Sequence, residues 1–92
     1  MRLEARAGTV AWRGIEAAVA ASAVPPDRRQ TTALYLLVTG CNVPGALAAE
    51  VLGCSKQNVS QNLHSVEDRR DADAAYNAEL ERLEQLIFGE PG

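Results

Sequence analysis

Large aromatic rings are almost missing from this chain. Trp12, Tyr35, Tyr76 and Phe88 are the only four in 92 residues. Segments alternating apolar and polar residues, the mark of a half-buried strand, are missing as well. With alanine abundant, the expected fold is all-α, about five short helices sharing one modest core. Cysteine is scarce. Cys41 and Cys54 have no CxxC spacing, so a disulfide framework or a thiolate metal site is not expected, and both are read as small buried thiols of a reducing cytoplasm. No apolar run is long enough to span a membrane. The alanine-rich stretch 17–24 is short, and Arg13 and Glu16 interrupt its approach. There is one histidine, His64, no serine beside a suitable base and no cluster of His, Cys or carboxylates at metal-ligand spacing, and neither GxxxxGK[ST] nor GxGxxG occurs. Asp68 and Asp71 lie among arginines, not as a general acid–base pair. No catalytic residue, metal or cofactor is expected, and the chain is not read as an enzyme.

Positive charge is also in short supply, with a net charge of −3. Its distribution carries more information than its total. Residues 1–24 (Arg2, Arg6 and Arg13 against Glu4 and Glu16) and residues 25–64 (Arg28, Arg29 and Lys56 against Asp27 and Glu50) each carry +1. The acid is concentrated in residues 65–92, which carry −5.

What is present is a helix-turn-helix pattern in residues 43–67. Asn42 is expected to cap a short helix with Pro44 in its first turn and Leu47, Val51 and Leu52 inward, while Ala48 and Ala49 allow close approach. Gly53 stops that helix, and Ser55 caps a second one starting at Lys56. Val59, Leu63 and Val66 recur at i, i+4 and i+7 as one buried stripe. At about 100° per residue, Gln57, Gln61 and His64 point the opposite way, flanked by Lys56, Asn58, Ser60 and Ser65. An amide-rich outer face suits base edges, since amides pair bidentately with adenine and hydroxyls adapt. The alternative is an ordinary helical hairpin with a solvated polar face.

The rest of the chain frames that pattern. Residues 1–24 are expected to form an arm and a helix capped by Thr9, running to about Ala23, with Trp12, Ile15, Val19 and Ser22 on one face. Arg2 and Arg6 belong either to a solvated terminus or to an arm touching phosphate. Residues 25–71 hold a basic segment and the helix-turn-helix. Pro25-Pro26 break the chain, Asp27 is expected to cap the next helix, and Arg28-Arg29-Gln30 form its first turn. Two adjacent guanidiniums after a rigid turn can reach phosphates or a narrow minor groove. Leu34, Tyr35, Leu37 and Val38, with Thr31 or Thr32, belong to a central helix buried on more than one side, which Gly40 ends. Residues 67–71 are read as the solvated end of the second helix of the motif, with Arg69 and Arg70 near the DNA backbone. Residues 72–88 form an amphipathic helix capped by Asp73, with Tyr76, Leu80, Leu83 and Ile87 inward and Glu79, Glu81, Arg82 and Glu84 outward. It is expected to pack on its own domain, a two-chain seam being the alternative.

The run from Arg28 to Ile87 resembles the C-terminal DNA-binding domain (domain IV) of the bacterial chromosomal replication initiator DnaA. That family passes from a basic segment through a Leu-Pro-Glu-Ile-like helix and a Phe-Gly turn into Asp-His-Thr-Thr-Val. Here Val43-Pro44-Gly45-Ala46-Leu47, Leu52-Gly53-Cys54 and Ser55-Lys56-Gln57-Asn58-Val59 stand at those places. The resemblance implies that Arg28, Arg29 and Gln30 occupy the minor-groove segment, and that Ser55, Lys56, Gln57 and Asn58 take recognition positions. The replaced signature implies a different target sequence. Leu63 to Leu83 also looks like the DNA-binding half of alphaproteobacterial gene transfer agent activators. The expected function is sequence-specific binding of duplex DNA by a transcription regulator, an activator of phage-like genes, in the cytoplasm on the nucleoid. The expected DNA-binding residues are Arg28, Arg29, Ser55, Lys56, Gln57, Asn58, Gln61 and His64. RNA polymerase or another DNA-bound protein, and a second copy of the chain, are the expected protein partners. The alternative is a protein-interaction adaptor that keeps the scaffold and has lost DNA recognition.

Overall fold

The computed structural model describes residues 3–89, and side chains from residue 11 onward. Its described residues form five α-helices and one 3₁₀ turn: α1 Leu3–Ala20, the 3₁₀ turn Pro26–Arg28, α2 Arg29–Gly40, α3 Gly45–Leu52, α4 Lys56–Ala72 and α5 Ala74–Phe88. None of these helices is long and apolar enough to cross a membrane.

The centre is α2. Thr32, Ala33, Leu34, Tyr35, Leu36 and Leu37 are buried without a break, which no single helix face could achieve. The neighbours that cover it are α1, α4, α3 and α5. Ile15 and Val19 come from α1, Val59 and Val66 from α4, and Tyr76, Leu80 and Leu83 from α5. Each fully covered leucine contributes about 2 kcal/mol of transfer free energy. Thr32 Oγ1, a buried hydroxyl of α2, pairs with Tyr76 Oη at 2.7 Å. The α5 stripe packs on its own domain, as expected for a stretch too short for a coiled coil, and Leu86 is its exposed large apolar residue.

Several boundaries differ from the sequence expectations, for local reasons. Helix α1 begins at Leu3, so Thr9 lies inside it and not at its N-cap. The run Leu3-Glu4-Ala5-Arg6-Ala7 is made of strong helix formers, and one glycine after it costs only about 1 kcal/mol. The expectations for Arg2 and for the Arg6 side chain lie outside the described residues. The same helix stops at Ala20, not near Ala23. Ser22 Oγ donates to Val19 O at 2.6 Å and accepts from Val24 N at 3.2 Å, so a side chain competes with the helical ladder there. Asp27 is not a cap. Pro26 starts a 3₁₀ turn that absorbs it, Arg28 N donates to Pro25 O at 2.9 Å, and α2 follows with no side-chain cap. Asn42 is not a cap either. It takes a left-handed φ of 54°, a conformation asparagine tolerates better than most residues. Pro44 instead occupies the N-cap of α3 and accepts Ala48 N at 3.0 Å.

Gly40 does end α2, but for reasons of space. A Cβ there would run into the Phe88 ring. In α3 the buried residues are Ala48 and Ala49, whereas Leu47, Val51 and Leu52 are half-buried. Small side chains let α3 lie close to α1 and α4. Both cysteines are free thiols, Cys41 exposed and Cys54 half-buried, so neither is the buried thiol expected.

Candidate nucleic-acid interface

The helix-turn-helix segment forms as the local chemistry dictates. Gly53, at φ 69° and ψ 34°, closes α3, and Cys54 N donates back to Ala49 O at 3.0 Å. This wide closure across a left-handed residue satisfies a carbonyl that the helix end would leave bare. Two residues on, Ser55 is extended at φ −83° and ψ 155°. Its Oγ accepts Asn58 N at 3.0 Å, which satisfies one orphan donor of α4 and leaves the hydroxyl hydrogen to donate elsewhere.

Beyond that cap α4 presents a long polar surface. Lys56, Gln57, Asn58, Ser60, Gln61, His64 and Ser65 are all exposed, while Val59 and Val66 are buried and Leu63 is half-buried. The periodicity thus sorts the helix into its two faces as expected. The 3₁₀ turn lies beside the middle of this surface. Arg28, Gln61, His64, Ser65, Asp68 and Arg69 line one open groove. The Arg28 guanidinium carbon stands 5.9 Å from the centroid of the Tyr76 ring, so a cation–π contact steadies it at the groove wall.

Arg29 goes elsewhere. It is exposed and lines a different hollow with Glu16, Ala20, Pro26 and Gln30. The adjacent arginines therefore do not act as one unit. Arg28 joins Gln61 and His64, whereas Arg29 faces the α1 side. Ser55, Lys56, Gln57 and Asn58 sit one to two turns up α4 from the groove.

Arg70 does not point toward a DNA backbone. Its Nε donates to Asn77 Oδ1 at 2.6 Å, and its terminal nitrogens reach Glu84 at 3.2 and 3.3 Å and Tyr35 Oη at 3.3 Å. Its guanidinium also lies 5.7 Å from the Tyr35 centroid. Burial alone would lower its pKa, but the hydrogen bond and charge of Glu84, with a smaller contribution from Tyr35, outweigh that and raise it. The end of α4 is thus bolted to α2 and α5. The signal was present in the spacing. Val59, Leu63 and Val66 continue at i+11 to residue 70, the next inward position. Glu84 accordingly does not face solvent alone, and neither does Glu79. The Glu79 carboxylate accepts Ala23 N at 2.6 Å and pairs with Arg82. The Arg82 hydrogen bond first, and the Ala23 amide second, hold its carboxyl below the usual carboxylate range.

Among the described residues no group of three or more His, Cys, Asp or Glu side chains is placed to hold a metal ion. No known protein family, curated protein or solved structure matches the chain.

Proposed function

We propose that the chain is a sequence-specific duplex-DNA-binding regulator of transcription in which α4 enters the major groove. The observation that supports this most directly is the exposed surface of α4. Lys56, Gln57, Asn58 and Gln61 are all exposed there, and Arg28 shares a groove with Gln61. Amide side chains on an exposed helix that follows a tight capped turn match the donor and acceptor pattern of base edges. Arg28 supplies a held cation beside them for a phosphate or the minor groove, with His64 and Ser55 at the margins. Arg29 serves the flank of the site and not its centre. The resemblance of residues 28–87 to the DnaA C-terminal domain supports the same reading, as do the gene transfer agent activators for a role in activating phage-like genes. The acidic surface of α5 is the proposed contact for RNA polymerase or another DNA-bound protein. A second copy of the chain bound to the same DNA would supplement the few phosphate contacts, and the nucleoid is the proposed location.

Selection of bound fragments from a random-sequence duplex pool, at moderate salt, tests the proposal. One enriched motif is expected. Gln57→Ala should then cost about 1–3 kcal/mol and relax preference at a single base position. An unenriched pool at low and moderate salt would sink it. The rival reading, a protein-interaction adaptor on the same scaffold, draws on the net charge of −3 and requires Gln57→Ala to leave all duplex binding unchanged.

A further inference from the structure

The groove between the 3₁₀ turn and α4 holds more positive chemistry than base reading needs. Arg28 enters from the 3₁₀ turn, and His64, Ser65 and Arg69 from successive turns of α4. Arg28 is held over Tyr76, whose hydroxyl is itself pinned to Thr32 at 2.7 Å, so little side-chain freedom remains to be lost when a ligand arrives. Arg69 is half-buried, unlike the exposed Lys56 at the other end of the helix. Both arginines also line the neighbouring hollow above Tyr76, and so stand on the ridge between the two depressions. Asp68 is the one carboxylate in the groove, which leaves an excess of one positive charge there, while Asp27, Asp73 and Glu79 line the neighbouring hollow. Guanidiniums donate and never accept, so the partner they fit is an anionic acceptor.

Position along α4 indicates which anion. From Gln57 to Arg69 is twelve residues, about 18 Å of helix axis. The major groove is about 12 Å wide. A helix that brings Gln57 to the bases therefore carries Arg69 out past the groove edge, where the sugar–phosphate backbone runs. We infer that this groove seats a backbone phosphate of the bound duplex, with Arg69 as the principal donor opposite Arg28, and His64 and Ser65 completing the seat. The inference rests on the DNA-binding reading above. It narrows the expectation for Arg69, near the backbone, to one phosphate seat shared with Arg28, and it adds Asp68 as a built-in brake on affinity.

The test uses the full chain, a fluorescent duplex carrying the selected motif and an unrelated duplex, titrated over a salt series. Arg69→Gln should lower affinity several-fold on both duplexes and make the slope of log K against log salt shallower by about one. Asp68→Asn should raise affinity on both. Circular dichroism checks that each variant keeps its helical content. Wild-type binding that Arg69→Gln leaves unchanged in affinity and slope overturns the phosphate seat and leaves the DNA reading standing. A loss confined to the selected motif also overturns it, because Arg69 would then touch a base. A wild-type chain that binds neither duplex overturns the DNA reading and the seat together.

Discussion

Gly53 and Glu79 show how much rests on single side chains here. Gly53 has a φ of 69° and open space where a Cβ would sit, so Gly53→Ala meets no neighbour and its cost is purely that of the left-handed backbone. That cost is about 1 kcal/mol, and a urea unfolding series should show it as a lower midpoint with an unchanged slope. Glu79 gives a pH dependence whose sign is fixed by its partners. Its carboxyl is lowered in the folded chain by Arg82 and the Ala23 amide. The stability it contributes is therefore complete above the unfolded carboxylate value of about 4.3 and is lost as pH falls through the lower folded value. Glu79→Gln should be less stable than wild type at pH 7. Unfolding midpoints measured down to pH 2 should show that gap closing as the acid limit is approached.

Helices couple through a few polar bolts laid over an apolar core. Arg70 is the main one, since it ties α4 to Tyr35 of α2 and to Asn77 and Glu84 of α5. Arg70→Met keeps much of the stem but strands partly buried acceptors, and it should destabilise the fold by about 2 kcal/mol. Its effect on DNA affinity should be slight once stability is restored by lower temperature, which a melting curve and an anisotropy titration on the same variant would separate. These bolts are what the sequence hid. Helical periodicity gave Val59, Leu63 and Val66 their face and set Gln57, Gln61 and His64 opposite them. Cap chemistry at Ser55, Asp73 and Gly53 was equally readable, and Asp73 accepts Tyr76 N at 3.1 Å as expected. Residue 70 continues the inward spacing of α4, but the partners of Arg70, Glu79 and Glu84 include residues on other elements, so no local pattern reveals those pairings. Helix α2 starts at Arg29, later than the capping pattern predicts, because Pro26 begins a 3₁₀ turn that takes in Asp27 and Arg28. Arg28 and Arg29 read as a pair in sequence, but successive residues on a helical turn diverge by about 100°, which sends them to different hollows.

The protein spans about 38 × 32 × 21 Å, with much of its acid on α5. The cations of the proposed DNA surface are Arg28, Lys56 and Arg69, whereas Glu81 and Arg70-paired Glu84 lie on α5. Two neutralised phosphates, one shared by Arg28 and Arg69 and one at Lys56, correspond to a slope of about −2 in log K against log salt for one bound copy. A slope near twice that value would mean two chains on each site, and titration at several chain concentrations would distinguish the cases. The exposed part of the proposed DNA surface on α4 contributes no side chain to the core.

That separation makes the outer surface of α4 replaceable. Lys56, Gln57, Asn58, Ser60 and Gln61 are exposed, and exposed substitutions of this kind usually shift stability by no more than about 0.5 kcal/mol. The scaffold could therefore acquire new binding preferences through changes at five positions without renegotiating its folding. A randomised library at those positions should yield variants of nearly constant melting temperature and widely differing preferred sequences. On the proposed reading, descendants of one such chain could part company in the genes they govern while remaining superimposable in three dimensions.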